Sequence, residues 1–289
     1  GDVGYETGNI DFSGDVYIKG SVKAHFSVKA SGSVIIAGQV ELGASVVAGG
    51  DVSVGKGVIG KETQVVAGGD VVAKFIQEAQ VIAKGDITIG VYMFNASVRC
   101  GGKVTVHGKG TRKESKVLVG GLIWAASGVA AKSLGAKYTA TTKLVVGIDP
   151  DLFKQLANLR KRTEVCNTHI VRIMNTLNVS TLDKEQLRQA IQRARTDSQR
   201  LLVVDCVKKL NALMGVQTQT QEEKEELDAQ VEELIREARI RVPGTTFAGV
   251  VIRIGDEHRT IMKDTRKAQF FLDLDEEEED VARLKCVSG

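Results

Sequence analysis

At 289 residues and 43% apolar content, the chain is long enough for two domains and can bury a sizeable core. Its net charge of +3, from 39 basic and 36 acidic residues, is too balanced to call for nucleic acid or a membrane surface as partner. No run of about 18 apolar residues and no basic-then-apolar leader occurs, which leaves neither a membrane span nor a signal peptide. Cys100, Cys166, Cys206 and Cys286 are scattered without C-x-x-C or histidine spacing, so they suit reduced thiols in the cytoplasm rather than zinc or a disulfide framework.

The chain starts without methionine and inside a repeat, as a fragment of a longer protein would. Residues 1–8 read as a lead-in strand or part of an incomplete coil. From Asn9 to Gly147 a Gly-Gly-Asp-Val-x-Val unit returns, clearest at Gly49-Gly50-Asp51-Val52, Gly68-Gly69-Asp70-Val71 and Gly101-Gly102-Lys103-Val104. Its turn glycines Gly14, Gly32, Gly50, Gly69, Gly85, Gly102 and Gly121 are 18, 18, 19, 16, 17 and 19 residues apart. A fixed period of this size is the signature of a solenoid.

A finer period lies within it. Ile10, Val16, Val22, Val28, Val34, Val40, Val46, Val52 and Val58 recur every six residues, so each coil has three short faces. Glycine or alanine at the corners permits tight turns and positive φ, and β-branched residues suit half-buried strands. That is the chemistry of a parallel β-helix. Ordering about 18 residues costs on the order of 1 to 2 kcal/mol each, whereas a buried valine returns roughly 1.5 to 3 kcal/mol. One coil cannot stand alone, but seven stacked at about 4.8 Å would form a column roughly 30 to 35 Å long.

Between His107 and Lys116 a polar segment interrupts the period and reads as a projecting loop. Its basic residues Lys109, Arg112, Lys113 and Lys116 make it a candidate partner-binding patch, with a plain solvated loop as the other reading. Trp124, the one tryptophan, reads as core or end-cap packing.

Asp149-Pro150 marks a helix start. Leu152, Leu156, Leu159, Thr163, Cys166, Ile170, Ile173 and Leu177 then alternate spacings of four and three, the pattern of a coiled-coil seam on a helix of roughly 40 Å. A second helix is predicted from Lys184 to Met214, with Leu187, Ile191, Ala194, Leu201, Val204, Val207 and Leu210 as its stripe. Gly215 to Gln221 is predicted to break it, and a third helix, Glu222 to Arg239, carries Leu227, Val231, Leu234 and Ala238. These segments read as an antiparallel hairpin inserted into the β structure. Pro243-Gly244 ends it. A strand from Thr245 to Ile254 follows, then a turn at Gly255-Asp256, a partner strand at Arg259 to Met262, a third strand at Phe270 to Leu274, and a solvated acidic tail from Asp275 to Asp280. The resulting division is 1–147 parallel β-helix, 148–242 helical hairpin and 243–289 strands covering the exposed end of the column.

Active-site options are thin. Six-residue text also occurs in left-handed hexapeptide acyltransferases, which form trimers and need a histidine base between subunits; His25 and His107 are the candidates, while His169 and His258 lie elsewhere. A polysaccharide lyase would use the recurring Asp15, Asp51, Asp70 and Asp86 for calcium, though aspartate after glycine also suits a tight turn. No phosphate-loop motif is present. The expectation is therefore no catalytic residue, no cofactor and no metal.

The whole chain resembles the flagellar assembly protein A family. The resemblance rests on Gly8-Asn9-Ile10-Asp11-Phe12-Ser13-Gly14-Asp15-Val16, Phe26-Ser27-Val28-Lys29-Ala30, Ala67-Gly68-Gly69-Asp70-Val71-Val72-Ala73-Lys74-Phe75-Ile76 and Phe247-Ala248-Gly249-Val250-Val251-Ile252-Arg253-Ile254-Gly255. Bactofilin cytoskeletal polymers share the glycine-aspartate repeats but not the combination. The resemblance implies a right-handed parallel β-helix with a long helical hairpin and a non-catalytic cytoplasmic protein needed for flagellum formation, with the cell pole as a place of action. It suggests regulation through the glucose-specific enzyme IIA of the sugar phosphotransferase system, and a further amino-terminal domain in the family. A monomer or a homodimer fits this reading, whereas a trimer fits the acyltransferase.

Overall fold

The computed structural model describes residues 1–110, 117–137, 140–274 and 282–288. Its first strands are β1 (Ile10–Phe12), β2 (Val16–Ile18), β3 (Ser27–Ala30), β4 (Val34–Ile36), β5 (Ser45–Ala48), β6 (Val52–Ile59) and β7 (Gln64–Ala67). There follow β8 (Val71–Gln77), β9 (Gln80–Ala83), β10 (Ile87–Cys100), β11 (Lys103–Val106), β12 (Leu118–Ala125), β13 (Gly128–Ala131) and β14 (Thr142–Val146). Helices α1 (Pro150–Leu177), α2 (Lys184–Arg193) and α3 (Asp197–Glu237) precede β15 (Arg239–Thr246), β16 (Val251–Ile254), β17 (Glu257–Thr260), β18 (Thr265–Leu274) and β19 (Ala282–Ser288). The chain divides into two compact units, Gly1–Pro150 with Val231–Gly289, and Asp151–Gln230.

The first unit is a β-solenoid of about seven turns before the helical insertion. The six-residue spacing becomes three parallel ladders. Ile10, Val28, Val46, Val65, Val81, Val98, Ile123 and Leu144 stand in register on one face. Val16, Val34, Val52, Val71, Ile87, Val104 and Val129 do so on the second. Val3, Val22, Val40, Val58, Ile76, Met93, Leu118 and Leu134 form the third. Strand alternation sends every second side chain inward, and parallel pairing in register puts like on like. Val22, Val34, Val40, Val46, Val58 and Val65 are consequently fully buried. A single 14-residue strand, β10, crosses all three faces and contributes Ile87, Met93 and Val98 to them.

After the helices the ladders resume. β15 pairs parallel to β13, with Ile240 on Val129, and β16 pairs parallel to β14, with Ile252 on Leu144. Thr246 bridges to Leu134 at the end of the third stack, where its buried Oγ1 has no hydrogen-bond partner. β18 then runs antiparallel to β15, and β19 antiparallel to β18. Several predicted boundaries change here. The strand starts at Arg239 rather than after Pro243-Gly244, which lie inside β15 at a break in its register with β18. The expected strand Thr245–Ile254 is split by a turn at 247–250, where Gly249 has φ 88° and the Ala248 N–H donates to Asp264 Oδ1 at 3.0 Å. Residues 275–280 lie outside the described residues, but β19 follows them in the chain, so the acidic run is not a terminal tail.

In the second unit α1 runs antiparallel to α3. Arg162 pairs with Glu223 at 3.9 Å, and the Gln217 amide donates to Asn167 Oδ1 at 3.1 Å. The predicted break falls elsewhere. α3 continues through Gly215 for 41 residues, and the interruption is at 194–196. There Thr196 Oγ1 accepts from the Gln199 N–H at 3.3 Å while Gln199 Oε1 accepts from the Thr196 N–H at 3.3 Å, a capping box that starts a new helix. Gly215 faces open space, and one solvent-facing glycine costs only about 1 kcal/mol in a long helix. The new start also shifts the stripe. Of the predicted stripe, Ala194 and Leu210 are buried and Val207 is half-buried, whereas Ile191, Leu201 and Val204 are exposed and Val203 and Cys206 are buried instead; the Leu187 side chain is outside the described residues.

Candidate functional site

The corner aspartates serve as joints between coils. Asp15 Oδ1 accepts from the Ser33 N–H, Asp70 Oδ1 from that of Asp86 and Asp86 Oδ1 from that of Lys103, each at 2.7 Å, and Asp51 Oδ1 from that of Asp70 at 2.8 Å. Ser33 Oγ fills the remaining place, accepting from the Asp51 N–H at 3.1 Å. Asp2 does the same with the Ser21 N–H at 2.7 Å, and this bond is the main reason its carboxyl sits below the usual aspartate range. Each such oxygen occupies the space a Cβ would need on the following coil: a side chain at Gly32, Gly69, Gly85 or Gly102 would overlap the carboxylate of Asp15, Asp51, Asp70 or Asp86. The Gly-Asp repeat thus records a close approach between coils. Positive φ, the expected reason for glycine, applies at Gly43 and Gly60 but not at these four. Among the described residues no three His, Cys, Asp or Glu side chains gather as a metal site would require.

The histidines are far apart in the chain and have no common setting. His25, at φ 66°, places its ring against Gly43, where a side chain would overlap it. His107 is exposed and gives its backbone N–H to Ile89 O at 2.9 Å. His169 and His258 are exposed on α1 and β17. All four cysteines are free. Burial pushes the Cys100 thiol up to about 12, with its Sγ 3.1 Å from Gly85 O. Burial also raises Cys286. Neither thiol is poised as a nucleophile.

Trp124 is neither core nor end cap. It projects outward from β12 between Arg99 and Val145, and its indole N–H donates to Ile148 O at 2.6 Å, bracing the chain where it leaves the solenoid for α1. Of the predicted seam, Leu156, Cys166, Ile170 and Leu177 are buried, and Leu152, Leu159 and Ile173 are half-buried. Leu177 and Ile173 pack with Ala190, Ala194, Val203 and Cys206.

Of the predicted basic patch, Lys109 is exposed, and Arg112, Lys113 and Lys116 lie outside the described residues. The structure brings other basic residues together around His107, the first residue of that segment. A groove of about 650 Å³ is lined by His107, Lys132, Arg241 and Lys267, together with Thr105, Gln269 and the apolar Val106, Ala130, Ala131, Val242, Pro243 and Ala268. The row Thr105, Ala130, Arg241, Gln269 crosses four neighbouring strands in register. A second groove, of about 650 Å³, lies within the helical unit and is lined by Arg160, Glu164, Arg172, Gln221 and Lys224. The residues from β15 and β18 were not foreseeable as neighbours of His107, because only pairing across more than a hundred positions unites them.

Long stacked ladders, corner carboxylates spent on backbone and shallow surface grooves together define a β-solenoid with a helical insertion. The chain belongs to the flagellar assembly protein A family: the family model described as Flagellar Assembly Protein A beta solenoid domain matches residues 1–279. Membership of that family implies a role in flagellar assembly and protein partners. Searches of curated proteins and of solved structures returned no match. Among the described residues no helix is long and apolar enough to cross a membrane.

Proposed function

We propose that this chain is a non-catalytic scaffold of flagellar assembly that holds other proteins against a stiff column. Family membership over residues 1–279 carries the reading. It is supported by the use of Asp15, Asp51, Asp70 and Asp86 as inter-coil joints, which gives these carboxylates a structural task. In this reading the solenoid is right-handed, α1 and α3 pair as a coiled coil along Leu152, Leu156, Leu159, Cys166, Ile170, Ile173 and Leu177, and the C-terminal strands close the column. The protein acts in the cytoplasm at the cell pole, as a homodimer. Lys109, Arg112, Lys113 and Lys116 contact a partner, and the glucose-specific enzyme IIA of the phosphotransferase system regulates it.

Deleting the gene in a flagellated host is expected to abolish or misplace flagella, counted by electron microscopy, with the intact gene restoring them. Normal flagella in the deletion strain would overturn the reading. Molar mass in solution separates it from the acyltransferase alternative, since a trimer that binds an acyl carrier or coenzyme A contradicts a scaffold.

A further inference from the structure

We infer that the groove crossing β11, β13, β15 and β18 is a docking site for an extended acidic segment of a partner protein. The inference rests on the scaffold reading and adds a place and a chemistry to it. Among the described residues, the hollow is lined by His107, Lys132, Arg241 and Lys267 and by no acidic side chain. Arg241 and Lys267 are exposed and make no ion pair among the described residues.

The backbone is irregular at this place. Between Val242 and Thr245 the β15–β18 register shifts, the Gly244 N–H leaves the antiparallel ladder to reach Lys132 O at 2.9 Å, and Lys267 adopts φ 49°. A lysine in the left-handed region is uncommon and carries strain, which concentrates at working sites. Lys267, on this strained backbone, lines the same groove as Arg241.

Size favours a peptide over nucleic acid. Four strands about 4.8 Å apart give a trough roughly 14 Å long, the span of about four extended residues. Even a single DNA-binding module buries roughly 600 to 1,000 Å² of protein surface, more than one hollow of this length offers. The charge balance of the whole chain points the same way.

The test is fluorescence anisotropy of fluorescein-labelled hexaglutamate with the full chain at low salt. Saturable binding that weakens with added salt is expected. Arg241→Glu with Lys267→Glu is expected to weaken it at least about tenfold, whereas Lys19→Glu with Lys56→Glu, in the first and third coils, makes the same change in net charge and leaves it within about twofold. Should the reversed variant lose its circular-dichroism signal, Arg241→Gln with Lys267→Gln is expected to weaken binding at least about threefold. No binding by the unaltered chain, equal binding by the groove variant, or tighter binding of a thymidine hexanucleotide than of hexaglutamate each overturns the inference. The two readings fail separately. Normal flagella in the deletion strain leave peptide binding untouched, and absent peptide binding leaves the flagellar defect untouched.

Discussion

Gly69 and Gly215 show how differently the two units are built. Around Gly69 the neighbouring coil dictates the residue, because Asp51 Oδ1 holds the Asp70 N–H in the space a side chain would take. Around Gly215 there is nothing within reach, and the residue is merely tolerated by a helix that would form without it. Burial follows the same division. The solenoid keeps whole stacks of aliphatics out of water, whereas α3 buries only Val203, Cys206, Leu210 and Thr220 among its described side chains. In a solenoid each coil is both product and template of its neighbours. A helix satisfies its own backbone and needs a partner only along one stripe.

The sharpest way to break this contrast is to open the stack. Ile76 is fully buried between Val58 and Met93, so Ile76→Ala is expected to cost about 2 to 5 kcal/mol. Urea unfolding followed at a β-sensitive wavelength measures it, and a loss below about 1 kcal/mol would mean that the column adjusts as readily as a surface helix. Next in size is Gly69→Ala, at about 1 to 3 kcal/mol, because the new methyl displaces the Asp51 carboxylate. In an Asp51→Ala background the same change should cost clearly less, and the double-mutant cycle reads that coupling directly. Strictly additive effects would show that the two positions are unrelated. The smallest effect has the opposite sign: Gly215→Ala is expected to stabilise the helical unit by about 0.5 to 1 kcal/mol, read as a higher helical melting midpoint. A destabilisation there would restore the break expected from sequence.

The ladders were legible because the six-residue spacing and the inward alternation of strands are one rule applied along the chain. Ile10, Val28 and Val46, like Val16, Val34 and Val52, need no distant information to be placed. Strands after the helices were legible from local composition, but their partners were not: Ile252 lies on Leu144 and Ile240 on Val129, far upstream, and no local period reports such pairings. The helix break has its own local signal. Thr196-Asp197-Ser198-Gln199 is a capping box, a stronger signal than an isolated glycine. The candidate groove could not be read at all, since Arg241 and Lys267 become neighbours of His107 only after two ladders close around the insertion.

The corner joints all lean the same way. From Asp2 to Asp86, every side-chain oxygen in the series reaches forward to the coil that follows it in the chain, and none reaches back. A coil therefore brings its own acceptor and asks its successor only for an N–H and a vacant Cβ. Copying one stretch of about eighteen residues in tandem would satisfy both demands at once, so the height of such a column can change through gene duplication without redesign of its seams.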